Sequence, residues 1–276
     1  MTDIIDSLGD WNAVAEAWDA HVDAIDVFTH PATTALVDRV GVQPGDRLLE
    51  LAAGPGALGT TWSRLVGPTG TVLISDSATG MVEVASRRTA GMGNVEVAAI
   101  DLAAIPRPDA SFDVVVCVMG LMFTSEPSVP LAEIHRVLAP GGRLGALTWG
   151  GIEHNPWMTC VGMAAMMNGL VSGGPPIGPG TVFSLGDAGR LEALAVTAGF
   201  RDVVVEEIGV VFTAEHIEAH IDRVTSLAGP LATAIREASD DQRAAARRTA
   251  ADLAAPYISD TGVEIPGRTL LVSGRR

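Results

Sequence analysis

The feature that most constrains the fold of this chain is a short apolar run that passes directly into a glycine-rich turn. Residues 48–51 (Leu-Leu-Glu-Leu) predict a buried strand, and Gly54, Gly56 and Gly59 follow at once. Glycine adopts backbone angles closed to other residues and lets a ligand approach the main chain. A helix predicted from about Ala57 would aim free N–H groups at the turn. This layout is typical of a nucleotide pocket at the end of a strand.

A second strand ends in an acid at the spacing expected for ribose binding. Residues 71–75 predict this strand, and Asp76 closes it. Acids at about this distance bind ribose in dinucleotide folds. The three glycines also satisfy the G-x-G-x-x-G fingerprint, so an NAD-dependent dehydrogenase stays open on these residues alone.

Strand-like and helical runs alternate through the first half of the chain. Predicted strands cover 46–51, 71–75, 94–99, 112–118 and 142–149, and predicted helices cover 57–66, 78–90 and 130–138. Such alternation predicts parallel strands joined by crossover helices. The expected fold class is therefore α/β with a doubly wound, mostly parallel sheet.

Helical patterns flank this core on both sides. An amphipathic pattern over 10–24 and a second helix beginning after Pro31 predict an N-terminal cover. The second half predicts the following elements: a Met-rich helix near 155–170, a Gly/Pro-rich loop at 172–180, a helix at 187–198, a strand at 203–212, one or two helices within 214–255, and a last strand at 268–273.

Charge and cysteine content exclude several functions. The formal charge of −15 and the pI near 4.7 would repel a phosphate backbone, so nucleic acid is not an expected partner. The first residues lack a secretion-signal pattern, and no apolar run is long enough to span a bilayer, which predicts a cytoplasmic protein without membrane contact. Two cysteines offer neither a disulfide framework nor a Cys-rich metal site.

Four ordered motifs together resemble a known family. Glu50 precedes the glycines, Asp76 closes the second strand, Asp101-Leu102 follows the third, and residues 136–143 (Arg-Val-Leu-Ala-Pro-Gly-Gly-Arg) precede the fifth. The set resembles the class I S-adenosylmethionine (SAM)-dependent methyltransferases, in the group that includes ubiquinone/menaquinone biosynthesis enzymes. The resemblance covers roughly residues 10–150. It implies seven strands with a terminal antiparallel pair, SAM as cofactor, S-adenosylhomocysteine (SAH) as product, and no metal.

The resemblance implies roles for individual cofactor residues. Glu50 would bind the methionine ammonium, and Gly54 and Gly56 would admit the methionine and ribose portion. Asp76 would accept from both ribose hydroxyls, although a helix cap or turn is the alternative for Asp76 and Asp101. The full set of expected cofactor residues is Glu50, Ala52, Gly54, Gly56, Asp76, Ser77, Met81, Asp101, Leu102 and Met119.

The acceptor side is less defined. Histidine changes charge near neutrality, so the candidates for proton acceptor are His154, His30 and His21, while His135, His216 and His220 are expected to be structural or exposed. The Met-rich helix either lines an apolar acceptor pocket or belongs to the core. Expected acceptor-binding residues are Leu121, Met122, Phe123, Trp157, Met163 and Met167.

The expected organisation has four parts: a helical cover at 1–45, a SAM-binding core at 46–150, an insertion lining the acceptor side at 151–182, and a C-terminal part of the core with a helical cap at 183–276. We expect a monomer or homodimer that methylates a small, largely apolar metabolite, with O-methylation favoured over C- or N-methylation. The alternatives are a non-methylating reaction such as a cyclisation, a dehydrogenase, and a non-catalytic binding protein.

Overall fold

A computed structural model describes residues 6–171 and 176–276, and its centre is one mixed sheet. Its strands are β1 Arg47–Leu51, β2 Thr71–Asp76, β3 Val95–Ala99, β4 Phe112–Val118, β5 Leu138–Trp149, β6 Arg201–Ala214, β7 Ile258–Ser259 and β8 Gly262–Arg275. The order is β3-β2-β1-β4-β5-β8-β6, and the short β7 pairs with β8. β1 to β5 are parallel, whereas β8 is antiparallel to both β5 and β6. The expected doubly wound sheet with a terminal antiparallel pair is confirmed.

β5, β6 and β8 each extend at least two residues beyond a predicted bound, and β7 was not predicted. β8 begins at Gly262 rather than at residue 268, although it contains Pro266. β5 pairs only with Thr269–Arg275 of β8. At Pro266, β8 therefore pairs with β6 on one side and has no β5 partner on the other. A proline without an N–H is tolerated where one side of a strand is unpaired. β8 can therefore continue through Pro266.

Helices cover both faces of the sheet. Their bounds are α1 Asp6–Val40, α2 Gly59–Val66, α3 Thr79–Arg88, α4 Ser128–Val137, α5 Pro156–Met167, α6 Ala188–Thr197, α7 Ile217–Leu227, α8 Gly229–Glu237 and α9 Asp240–Ala254. The region after β6 therefore forms three helices rather than one or two. Residues 172–175 of the expected Gly/Pro-rich loop lie outside the described residues. Within the described parts of the chain, no helix has the length and apolar character that a membrane span needs.

The N-terminal cover is one helix and not two. α1 continues through Pro31, whose missing N–H leaves one helical hydrogen bond unmade. Burial offsets this loss, because Phe28, Ala32 and Leu36 are spaced four residues apart and lie in the main core. A Cβ placed on Gly145 of β5 would come within 2.6 Å of the Leu36 side chain, so α1 lies directly on the sheet.

The N-terminal half of α1 packs in a second, smaller apolar cluster. A small apolar cluster joins it to α3 and α8: Val14, Ala15, Ala78, Met81, Val84 and Ala232. The indole N–H of Trp18 donates to the Leu227 carbonyl at the end of α7 (3.0 Å). These contacts place α1 and α7 across the carboxyl ends of the parallel strands.

The strand order creates a crevice beneath that cover. From β1 the chain adds β2 and β3 on one side, then returns to add β4 and β5 on the other. Open α/β sheets bind ligands at the carboxyl ends of the strands where the order reverses. At the opposite end of β1, Arg47 forms an ion pair with Asp113 (2.8 Å).

Candidate cofactor and acceptor cavity

A cavity of about 280 Å³ occupies the crevice. Its floor is formed by the ends of β1, β2 and β4 with the turns that follow them. Its other end is formed by α1, α7, the start of α5 and strands β5 and β6. Four of the chain's five tryptophans lie in its wall: Trp11, Trp18, Trp149 and Trp157.

The turn after β1 has an unusual backbone. Gly54 and Gly56 have φ of 55° and 74°, as their residue type allows. Ala52 and Met119 also have positive φ, at 50° and 55°, although both carry a Cβ. Positive φ in a non-glycine residue costs energy and often accompanies a functional site. Both strained residues line the cavity, at the ends of the adjacent strands β1 and β4.

Gly120 allows the two turns to approach each other. A Cβ on this residue would lie 2.2 Å from the Ala52 Cβ and 3.0 Å from the Cys117 sulfur. Contacts this short do not occur between real side chains. The shape of the floor therefore depends on a glycine after β4 as well as on those after β1.

Asp76 ties the β1 turn to β2. Its Oδ2 accepts from the Gly54 N–H and its Oδ1 from the Ala78 N–H, each at 2.9 Å. Burial raises the pKa of Asp76, and these backbone hydrogen bonds partly offset the rise. Each carboxylate oxygen has a second lone pair, so Asp76 can accept two further hydrogen bonds from a ligand.

Glu50 is a buried acid without a hydrogen-bond partner at Oε2. The residue is 2 % exposed, and it lines the cavity. Burial raises the pKa of Glu50 to about 8, an effect that the nearby Trp62 indole N–H partly offsets. The indole N–H does not reach hydrogen-bond geometry and is itself unpartnered. A buried acid left this way is stabilised by a ligand that brings a positive charge or a donor.

The remaining expected cofactor residues fall into two groups. Those that line the cavity are Ala52, Ser77, Met81, Leu102 and Met119. Gly56 and Asp101 do not line it. Gly56 lies against Ala85 of α3, which a Cβ would approach to 3.0 Å. Asp101 is exposed, and its Oδ1 accepts from the Ala103 N–H at 2.8 Å, which is the turn role considered above as its alternative.

The acceptor end is mainly aromatic. The Trp157 and Phe212 rings stack with centroids 4.3 Å apart, and Trp149 and Phe28 lie against this pair. Of the expected acceptor-binding residues, Met122, Phe123 and Trp157 line the cavity.

Three other expected acceptor-binding residues do not line the cavity. Leu121 is buried in the main core behind it. Met163 and Met167 are 50 % and 67 % exposed on the outer face of α5, which corrects the expectation for them. Only the first turn of α5, with Trp157 and Met158, faces the cavity, and its later turns pack beside α9.

The three histidines proposed from sequence as proton acceptors are not among the residues lining the cavity. His154 is more than half exposed beside Glu153, His30 is exposed, and His21 is half-buried on α1. A different histidine does line the cavity: His220 of α7, which is 1 % exposed. From the sequence, His220 is expected to be structural or exposed. Its spacing from Ile217 and Val224, both buried on α7, is the signal that could have predicted its burial.

The environment of His220 defines its protonation. Its Nε2 lies 2.7 Å from the Trp157 carbonyl oxygen, which can only accept, so Nε2 carries the hydrogen. Nδ1 is then an unprotonated acceptor, and it is buried without a partner. Burial lowers the pKa of His220, and the nearby positive charge of Arg223 adds to the effect. The imidazole is therefore neutral at neutral pH.

Comparison with known proteins identifies the first half of the chain. Residues 48–142 match the family model described as a methyltransferase domain. A ubiquinone/menaquinone biosynthesis C-methyltransferase, UbiE, from Teredinibacter turnerae is 38% identical over 111 residues, which is 39% of this chain and 45% of that protein. Both matches support a class I SAM-dependent methyltransferase domain over residues 48–142. The chain spans about half the length of the curated relatives it matches.

Solved structures support the same fold across more of the chain. The YcgJ protein from Bacillus subtilis aligns with a TM-score of 0.60 at 19% identity, covering 90% of this chain and 98% of its own. The [4+2]-cyclase SpnF aligns with a TM-score of 0.55, also at 19% identity, covering 96% and 95%. At these identities the comparisons establish the fold of the methyltransferase domain and its surroundings, but not a reaction.

The residues of the methyltransferase domain fit SAM on chemical grounds. The cofactor carries an ammonium group and two ribose hydroxyls. Glu50 offers a buried oxygen without a partner, and Asp76 offers two oxygens with free lone pairs. Gly54 brings the backbone to the cavity surface with no side chain in the way. The donor set of the ligand thus complements the acceptor set of the cavity floor.

Proposed function

We propose that this protein transfers the methyl group of SAM to a small, largely apolar, ring-bearing acceptor. The observation that supports this most directly is the buried, unpartnered carboxyl of Glu50, which lines the same cavity as the aromatic acceptor end. SAM supplies a methyl group on a positively charged sulfur, which an acceptor nucleophile displaces in line. The protein then has three tasks: to bind the cofactor, to align the acceptor and to receive a proton.

Cofactor binding is assigned to the floor of the cavity. Glu50 binds the ammonium group, and Asp76 accepts from the ribose hydroxyls while it holds the β1 turn in shape. Met81, Ser77 and Leu102 line the part of the cavity assigned to the adenosine portion. Asp101 precedes Leu102 and is exposed. Its Oδ1 accepts from the Ala103 N–H, so its Oδ2 is assigned to accept from the adenine amino group.

Acceptor alignment is assigned to the aromatic end. The flat face of the Trp157–Phe212 pair suits a ring, and Met122 and Phe123 lie between this end and the turn after β4. Aromatic faces position a planar ligand by stacking, in addition to burying its apolar area. This wall also keeps water away from the methyl group during transfer.

Proton transfer is assigned to His220, in place of the histidines proposed from sequence. Its neutral Nδ1 can accept the proton that a hydroxyl loses as its oxygen gains the methyl group. This arrangement supports a protic acceptor and hence O-methylation. The curated relatives are named C-methyltransferases, so methylation at carbon is the competing outcome.

The test combines binding with product detection. Calorimetry should detect SAH binding to the wild-type protein, and Asp76→Ala should weaken it by at least tenfold, since the ribose hydroxyls lose their acceptors. Asp38→Ala is the control: it removes an exposed carboxylate of α1 that does not line the cavity, and SAH affinity should not change. Equal SAH affinity in wild type and Asp76→Ala would contradict the ribose assignment.

The second part of the test identifies the reaction. The protein is incubated with methyl-labelled SAM and a small-molecule extract of its source organism, and labelled products are sought by mass spectrometry. A labelled ring compound would support the proposal, and the labelled atom would separate O- from C-methylation. SAH binding with no label in any fraction would instead favour a non-methylating use of the fold, such as a cyclisation.

A further inference from the structure

The acceptor end of the cavity contains one cation. Arg223 extends from α7 into the wall and is the only positively charged side chain among the described residues that line the cavity. It lies one helical turn beyond His220, on the same face of α7. The three carboxylates in the lining are Glu50 and Asp76 at the floor and Asp26, which is exposed on α1.

Arg223 has few partners of its own. Its Nη2 donates to the Thr213 carbonyl at 3.2 Å, and its guanidinium carbon lies 4.3 Å from the centre of the Phe28 ring. Among the described residues, Arg223 forms no ion pair. This holds for Asp26 too, although Asp26 also lines the cavity. A guanidinium has five N–H donors, so most of this group's donors are left for a ligand.

This cation is also held in an unfavourable place. Arg223 is half-buried against aromatic rings, and burial lowers its pKa. A desolvated cation without a counter-ion gains stability when an anion binds to it. Arginine in particular recognises planar oxyanions, because its N–H groups can form two parallel hydrogen bonds to a carboxylate.

The charge of the whole protein increases the importance of a local cation for an anionic acceptor. The formal charge is −15, which repels anions at long range. A nearby positive charge would offset this repulsion for an acidic ligand. Within the lining described, Arg223 alone provides that charge.

We propose that the acceptor is an aromatic ring compound that carries a carboxylate, with Arg223 binding the carboxylate and the Trp157–Phe212 wall binding the ring. This inference rests on the proposed function, whose apolar acceptor it makes more specific. His220, one turn away on α7, lies beside the bound acid group, where a hydroxyl on the same ring would reach it.

The experiment compares acids with their neutral amides on the SAH-loaded protein, so that the cofactor part of the cavity is filled. The probes are benzoate and benzamide, and 2-naphthoate and 2-naphthamide, measured by calorimetry. We expect the naphthoate to bind at least tenfold more tightly than its amide. Arg223→Gln should abolish this preference, and Arg223→Lys should keep part of it, since the charge remains but the paired donors do not.

Arg248→Gln is the matched control. It removes the same charge from an exposed position on α9, outside the cavity lining, and should leave the preference intact. The proposal is overturned if no acid of the series is preferred over its amide by the wild-type protein, whether or not either binds. It is also overturned if the preference survives in Arg223→Gln.

One more outcome would show that Arg223 binds the cofactor and not the acceptor. SAM has a carboxylate of its own, so the affinity of each variant for SAH is measured first. If Arg223→Gln weakens SAH binding as much as Asp76→Ala does, the guanidinium serves the cofactor and the acceptor proposal is overturned. If the wild-type protein does not bind SAH, the proposed function itself fails, and that result is distinct from the others.

Discussion

Glu50, to which we assign cofactor binding, is expected to weaken the ligand-free protein. Its folded-state pKa of about 8 lies above the ordinary value of 4.5. The folded state therefore binds the proton more tightly, and this contribution to stability is present at low pH and lost as pH rises toward 8. By pH 7 the loss is on the order of 3 kcal/mol.

We therefore predict that Glu50→Gln makes stability less dependent on pH. The difference in Tm between the variant and the wild type, both without ligand, should become more positive from pH 5 to pH 8. A constant offset between them reflects packing of the amide and does not bear on the prediction. Parallel Tm curves across this range would show that Glu50 does not titrate there.

The same residue predicts a proton released on cofactor binding. If Glu50 pairs with an ammonium group, its pKa falls on binding, and at pH 7 close to one proton should be released. Calorimetry of SAH binding in two buffers of different ionisation enthalpy measures this release. Glu50→Gln should bind SAH more weakly and release fewer protons than the wild type.

His220 leads to a prediction about the dependence of the rate on pH. Because burial lowers its pKa below the ordinary 6.5, the neutral form persists at pH 6.5 and above, and the rate should fall only at more acidic pH. His220→Gln keeps a donor for the Trp157 carbonyl and removes the proton acceptor.

Once an acceptor is known, kcat of His220→Gln should fall by roughly 10²- to 10⁴-fold with little change in KM, and the acidic limb should disappear. His154→Gln, which changes an exposed histidine, is the control. An unchanged pH profile in His220→Gln would leave this residue with a packing role only.

At the scale of elements, the contact between the turns after β1 and β4 decides the shape of the cavity floor. Gly120→Ala forces a Cβ to within 2.2 Å of the Ala52 Cβ, so one turn must move. We predict a loss of about 1–3 kcal/mol in stability and a large loss of SAH affinity, measured by urea unfolding and calorimetry.

Gly162→Ala provides the comparison for that substitution. A Cβ at Gly162 on α5 would meet nothing within 4 Å, and alanine is the better helix former. This variant should be about 0.5–1 kcal/mol more stable than wild type, with unchanged SAH affinity. A similar loss in both variants would mean that the Gly120 effect is not specific to the contact between the turns.

At the scale of the whole molecule, the formal charge of −15 acts on stability. Self-repulsion among the acidic groups weakens the folded state, and salt screens it. The ion pairs found are mostly exposed, and screening them removes little stability. We predict that Tm of the ligand-free protein rises from 10 mM to 200 mM KCl. A falling Tm would show that the ion pairs outweigh the repulsion.

The sequence by itself determined how the residues of the proposed cofactor site come together. The apolar strand, Glu50, the glycines and Asp76 lie close together along the chain, and their positions relative to one another follow from one strand-turn-helix unit and the next strand. The alternation of strands and helices likewise predicted the doubly wound sheet. Local geometry and parallel pairing are enough to assemble these residues.

Tertiary structure alone decided which residues form the proposed acceptor end of the cavity. His220 and Arg223 of α7 meet α1 and the start of α5 through contacts between distant parts of the chain, such as that of Trp18 with Leu227. No periodicity tells which face of an amphipathic helix borders a cavity and which borders the core, so His220 was missed and Met163 and Met167 were misplaced. The physical reason is that helix packing across a sheet depends on the shapes of all its partners, which no single segment encodes.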